Sequence, residues 1–402
     1  MRNGPDAATL ALSAALRPEI ETLETSGIAQ VFALGIGREG VIPLWVGEGD
    51  RPTPDFICEA AIASLRAGET FYSHKRGLPE LRQEITDYTN RLYGTAVDPE
   101  QVTVTGSGMS AMVLVLQAIV GPGDNVIVVN PVWPNFMSAV QVAGGELRPV
   151  RLDTRPDGGF RLDLDKLFAA VDERTRAIYV ASPGNPTGWI MERDQQEPVL
   201  ELCRARRIWM IADEVYARFA YGRSHAPSFL ELARPDDPLF VINSFSKAWA
   251  MTGWRLGWIT HPAPLWPTFD RLIEFFNSGS PAFLQRGALT ALRDGEAFVE
   301  DMVARCRRGG ELVYQRLSAM PGLRMAPPPG AFYAFFEVDG LTDSLAYAKE
   351  ILERGAVGLA PGSAFGPGGE GHLRLCFATS TEKLSEALDR LEPIFAKRAA
   401  TA

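Results

Sequence analysis

Along much of the chain, helical apolar periods alternate with short, nearly unbroken runs of β-branched and other apolar residues. The runs are QVTVT (101–105), NVIVVN (125–130), RAIYVAS (176–182), RIWMIAD (207–213), PLFVINS (238–244) and LGWIT (256–260). A strand with one wet face alternates polar and apolar positions. Most of these runs do not, so they are expected to be covered on both faces. Helix-length segments such as SAMVLVLQAIV (110–120) and DQQEPVLELCRARR (194–207) lie between them. Strands alternating with helices predict an α/β fold with a doubly wound, mainly parallel sheet. The last run follows its neighbour after only about a dozen residues, so it is expected to return antiparallel.

From about residue 290 the pattern changes. A long charged helical segment, AFVEDMVARCRRGGELVYQRLSAM (297–320), leads to an extended pair, FYAFFEV (332–338) and LRLCFA (373–378), and a closing helix. This predicts a smaller α+β domain over 286–402, a large domain over 51–285, and an N-terminal arm over 1–50 that joins the smaller one. The apolar stretch ATLALSAAL (8–16) follows Asp6 and has only Arg2 as a basic flank. It reads as a helix or arm and not as a signal peptide. No apolar run is long enough to span a membrane.

Composition narrows the classes. A chain of 402 residues exceeds the usual single core, and 46% apolar with 22% charged residues is ordinary for a soluble globular protein. A net charge of −9, with no basic stripe beyond the short HKR run at 74–76, argues against nucleic acid as a partner. The four cysteines lack a C-x-x-C pair and the four histidines lack ligand spacing. No metal site is expected, and reduced thiols in the cytoplasm are.

In open α/β sheets, ligands bind beyond the carboxyl ends of the strands. There the sequence offers, in order, the glycine-rich turn GSGMS, the turn NPVWPNF with Trp133, PGNPTG with Asn185, Asp213 followed by Glu-Val-Tyr216, and Lys247 just past Ser244. Each alone has an ordinary reading: a turn, a helix cap, a packing aromatic, a solvated lysine. GSGMSA fits a dinucleotide fingerprint, but the next strand ends in Asn130-Pro131 and not in the acid that a ribose needs. Their order along one chain is what chance explains poorly.

These residues carry a family resemblance over nearly the whole chain. The motifs are IPLWVGEGD (42–50), YSHKRGLPELR (72–82), SPGNPTG (182–188), ADEVY (212–216), SFSK with MTGWRLGW (244–258), PPGAFY (328–333) and PGSAFGPGGEGHLRLCFA (361–378). Together they resemble the class I, aspartate/aromatic-type aminotransferases, which are fold type I pyridoxal 5'-phosphate (PLP) enzymes. The resemblance implies a seven-stranded sheet, a homodimer with shared active sites, and amino acid and 2-oxo acid substrates. It implies Lys247 as the amine for a Schiff base, in a setting where apolar surroundings and Arg255 lower its pKa. Asp213 is implied at the pyridine nitrogen, Asn185 and Tyr216 at the ring oxygen, and Trp133 on the ring face. For the phosphate it implies the backbone of Ser107, Gly108 and Met109 at a helix start, with Ser244, Ser246 and a partly buried Arg255. Tyr72 resembles the family's tyrosine that reaches a neighbour's phosphate. Arg374, assisted by Gly47 and Asn185, is implied at the substrate α-carboxylate; its ordinary alternative is an exposed strand arginine. The tryptophans of 244–258 are read as packing.

The pattern also departs from the family. Met109 stands where some bacterial aspartate aminotransferases carry a lysine for the distal carboxylate. That points to a neutral or aromatic side-chain pocket, with Trp45 and Phe71 as candidate walls. Arg51 and the HKR run could instead supply a charge. Gly49 replaces the usual proline. The alternative reaction on the same scaffold is C–S β-elimination, since the lyases' version of PLWVGEGD has alanine in place of Gly47. A non-catalytic regulatory protein on this fold would carry an extra DNA-binding segment, for which this chain has no room.

Overall fold

The computed structural model describes residues 15–400. Most of the stretch ATLALSAAL, residues 8–14, lies outside the described residues. Seven strands form the large sheet: β1 (Val102–Thr105), β2 (Asn125–Asn130), β3 (Glu146–Arg151), β4 (Thr175–Ala181), β5 (Trp209–Asp213), β6 (Leu239–Ser244) and β7 (Gly257–Thr260). Their spatial order is β1-β7-β6-β5-β4-β2-β3. Strands β3, β2, β4, β5 and β6 pair in parallel. As expected from the short connection, β7 runs antiparallel between β1 and β6.

Alternate residues of the sheet feed two different cores. Val126 and Val128, with Tyr179, Ile211 and Ile242, pack under helices α1 (Gly108–Ile119) and α2 (Pro134–Val142). Ile127 and Val129, with Ile178, Val180 and Met210, pack on the other face against helix α3 (Arg193–Arg206). Coverage on both faces is why the sequence runs are apolar throughout. Strand β3 is the exception, and it is absent from the apolar runs. It lies at the sheet edge with only Val150 buried, and carries Pro149, which an edge strand tolerates.

Beyond β7 comes the long helix α4 (Glu296–Ser318). A second sheet follows, of β8 (Leu323–Arg324), β9 (Tyr333–Val338), β10 (Ala360–Pro361) and β11 (His372–Cys376), in the order β8-β9-β11-β10. In the N-terminal segment, Ile42–Pro43 pairs in parallel with Val357–Gly358. Trp45 seals the junction. Its indole lies where a Cβ on Gly35 or Gly358 would stand, so both positions require glycine. No described helix is long and apolar enough to cross a membrane.

Candidate active site

The strand-end turns of the large sheet, the segment 45–48 and strand β11 converge on one cavity of about 330 Å³. Gly47, Gly108, Met109, Trp133, Asn185, Asp213, Tyr216, Ser244, Ser246, Lys247, Arg255 and Arg374 all line it. Residues far apart in sequence thus meet; Arg374 donates to the carbonyl oxygen of Trp45, 329 positions away. Each arrives by its own local logic.

Lys247 sits just beyond β6 with Phe245 behind it, packed against Trp249 and Trp258 at ring-centroid distances of 5.4 and 5.0 Å. Those tryptophans are buried packing residues, as expected. The Lys247 side chain opens to the cavity, and its Nζ donates to the carbonyl oxygen of Gly47 at 2.6 Å. Enclosure by protein pushes its pKa down to about 8; Arg374 and Arg255 act in the same direction, while Cys376 and Glu48 oppose them.

Asp213 ends β5. Burial pushes its pKa up to about 6, against hydrogen bonds that favour the charged form. Tyr179 donates to Oδ2 at 2.7 Å and the Val215 amide to Oδ1 at 3.2 Å. The Tyr216 hydroxyl lies 2.5 Å from that of Tyr333. Burial, with this neighbour, raises the Tyr216 pKa.

Ser107 is the N-cap of α1 and does not itself line the cavity. Its Oγ accepts from the Ser110 amide at 2.9 Å. The first amides of α1 beyond it are those a helix leaves unpaired, at the positive end of its dipole. Strand β7 passes beneath this start through Gly257. A Cβ there would lie 2.7 Å from the Gly108 nitrogen and 2.7 Å from the Asn243 oxygen. Ser244 Oγ donates to Ser246 Oγ at 2.9 Å beside it.

Arg374 is not an exposed strand arginine. It is 2% exposed in the middle of β11, with its guanidinium 4.6 Å from the Tyr333 ring centroid and 5.0 Å from that of Phe365. Nη1 donates to Asn185 Oδ1 at 3.0 Å, and Nε has no partner. Among the described residues no carboxylate pairs with it. A buried cation without a counter-charge is costly unless an anion completes it, so these groups fit a carboxylate ligand.

Several expectations need correction. Arg255 is exposed in the single chain and not partly buried: it stands at the cavity wall in an αL conformation and donates to the Thr252 carbonyl oxygen at 2.6 Å. Phe71 does not wall the cavity; it is 85% exposed. Tyr72, 94% exposed, lies outside the cavity of its own chain, which leaves its expected reach to a neighbour's phosphate untouched. Arg51 is held by Asp301 on α4, Lys75 by Glu274 at 2.6 Å, and Arg76 by Glu100 at 2.6 Å. None of these cations lines the cavity.

A model of the family aminotransferase class I and II matches residues 39–391. The chain belongs to the class I and II aminotransferases. Its relatives include the arginine–pyruvate transaminase of Pseudomonas aeruginosa, 38% identical over 88% of this chain and 89% of that one. Another is aromatic-amino-acid aminotransferase 2 of Thermococcus litoralis, 34% identical over 96% and 99%. The crystal structure of aspartate aminotransferase from Thermotoga maritima matches with a TM-score of 0.87 and 34% identity, over 94% of this chain and 99% of that one. This aminotransferase is therefore a fold type I, PLP-dependent transaminase, and each of these relatives carries an aminotransferase name.

Sequence reasoning did not single out several cavity residues of this aminotransferase, among them Ile28, Glu48, Met112, Thr252 and Tyr333. The phenol of Tyr333 was in view within PPGAFY but had no partner until the fold brought Tyr216 and Gly47 to it. Its Oη occupies the place of a Gly47 Cβ. Gly47→Ala is thus expected to push Tyr333 or the segment 45–48 aside and to lower kcat by about 10²-fold, the cost of a misplacement near 1 Å. The double variant Gly47→Ala/Tyr333→Phe should recover most of it in steady-state kinetics with one amino donor.

Proposed function

We propose that this cavity binds PLP and an α-amino acid together, and transfers the amino group to a 2-oxo acid. The observation that carries the reading is the meeting of Lys247, Asp213 and a buried, carboxylate-free Arg374 in one cavity. When bound, PLP supplies the electron sink for the electrons left at the substrate Cα. The residues of the chain do the rest. Lys247 is the amine that would hold the cofactor and, once released, take the proton from the substrate Cα and deliver it to the cofactor's C4′ carbon; a pKa near 8 leaves a useful share of it neutral. Asp213 holds a proton at the pyridine nitrogen. Asn185 and Tyr216 serve the ring oxygen, and Trp133 covers a ring face.

The backbone of Ser107, Gly108 and Met109, with Ser244, Ser246 and Arg255, forms the phosphate cup. Arg374 grips the α-carboxylate, assisted by Asn185 and the backbone of Gly47. Exposed Phe71 and Tyr72 support a homodimer in which Tyr72 reaches the partner's cup. We assign the chain to the cytoplasm, as a large domain over 51–285 with an arm over 1–50 and a small domain over 286–402.

The donor side chain is neutral or aromatic. Ile28, Trp45, Met109, Met112 and Trp133 make this part of the lining apolar, and the nearby arginine and lysine side chains are engaged elsewhere. A panel of amino acids with 2-oxoglutarate tests this. Neutral and aromatic donors should outpace aspartate, and Met109→Lys should raise the aspartate rate about tenfold, as one added charge-assisted contact allows. An unchanged acidic-to-aromatic ratio would overturn the pocket assignment. Pyruvate with ammonia, in place of a new amino acid, would mean elimination and not transfer.

A further inference from the structure

Asp213 is held by a residue outside the cavity. Tyr179 lies on β4, beside β5, and its side chain is fully buried. Its ring stacks on Phe136 of α2 at 3.5 Å between centroids and 12° between planes. Phe136 follows Trp133, the residue that caps the same helix. This stacking fixes the phenol, whose hydroxyl donates to Asp213 Oδ2 at 2.7 Å. It is the only side-chain hydrogen bond to Asp213 among the described residues. The other oxygen, Oδ1, takes a longer bond from the Val215 amide.

We infer that Tyr179 is the positioning residue of this site: it keeps Asp213 ionised and aims it at the cofactor's ring nitrogen. The inference rests on the proposed role of Asp213. The physical reasoning is a competition. A proton between a buried carboxylate and a pyridine nitrogen can settle on either. Burial alone favours the neutral pair, with the proton on Asp213, because it removes charge from a dry site. A phenol donating to the carboxylate stabilises only the charged form and tips the balance toward a protonated ring. The Val215 amide, being longer and on the other oxygen, does not replace it. Phe136 contributes no polar atom; its part is to stop the phenol from rotating away.

Tyr179→Phe removes the donor and keeps the ring that stacks on Phe136, so the core stays filled. The test uses holoenzyme reconstituted with PLP labelled with ¹⁵N in its ring, and reads the nitrogen resonance, which reports ring protonation directly. Retention of PLP in equilibrium dialysis is the second readout, and Asp213→Asn is the reference variant. In the parent enzyme the resonance should sit at the protonated position, and in Asp213→Asn at the unprotonated one. Tyr179→Phe should move it toward the unprotonated position and weaken PLP retention by about tenfold, the scale of a hydrogen bond to a charged group. A shift in Asp213→Asn with none in Tyr179→Phe would overturn the role of Tyr179 and leave that of Asp213 standing. No shift in either would overturn the placement of Asp213 itself. A fall in melting temperature with an unmoved resonance would make Tyr179 a packing residue only.

Discussion

Replacing Lys247 by alanine is expected to lower turnover by about 10³-fold or more, since the variant loses the group proposed to move the Cα proton. The fold should survive. Among the described residues the Lys247 amine donates only to the Gly47 carbonyl oxygen, and its pKa is pushed down because the protein around it disfavours the charge. Removing such a group relieves desolvation and forfeits one hydrogen bond, two effects of similar size and opposite sign. The melting temperature of the apoprotein should therefore stay close to that of the parent. Borohydride treatment followed by peptide mass measurement should fix the cofactor on Lys247 in the parent and nowhere in the variant. A Lys247→Ala protein that still fixed the cofactor and turned over substrate would end this account.

Removal of Arg374 is expected to act differently. Arg374→Ala should cut kcat/KM by about 10²-fold or more, through two charge-assisted bonds to a carboxylate. The loss should be the same for every amino donor, because the α-carboxylate is what they share. It should appear mainly in KM, as an interaction lost from bound substrate and transition state alike. Arg374→Lys should recover little, since a point charge cannot make the planar fork. The alanine variant also strands Asn185 Oδ1 and the Trp45 carbonyl oxygen, which now accept from the guanidinium. A lowered melting temperature should accompany the kinetic loss. Steady-state kinetics with alanine, phenylalanine and aspartate would check the uniformity; a loss confined to one side-chain class would contradict the assignment.

The large sheet was legible because strands covered on both faces cannot hide in a sequence: apolar residues must fill every position. Edge strand β3 escaped, since exposure lets it carry Glu146, Arg148 and Arg151. The groups at the strand ends were legible because a parallel sheet places all such turns on one side, so Asp213 and Lys247 could be paired without coordinates. Residues that matter through contact across the fold were not. Tyr333 depends on Tyr216, 117 positions away, and Ile28 belongs to a helix whose apolar face gives no hint of a cavity. Tyr179 looked like one more buried strand residue; its hydroxyl gains meaning only from the register that sets β4 beside Asp213. The exposure of Arg255 was not legible either, because it stands within an apolar stretch of the sequence.

The cavity has a wall from each end of the chain. Trp45 and Gly47 come from the first fifty residues, and Arg374 from the last thirty. The seven strands between them can pair as soon as residue 260 has been made, but the bond from Arg374 to Trp45 closes a loop of 329 positions. Non-local contacts of this kind form late. A chain still being synthesised can thus own a finished sheet, with Lys247 and Asp213 in place, and yet no pocket around them. Binding in that cavity is then expected only of the completed chain, with both of its walls in place.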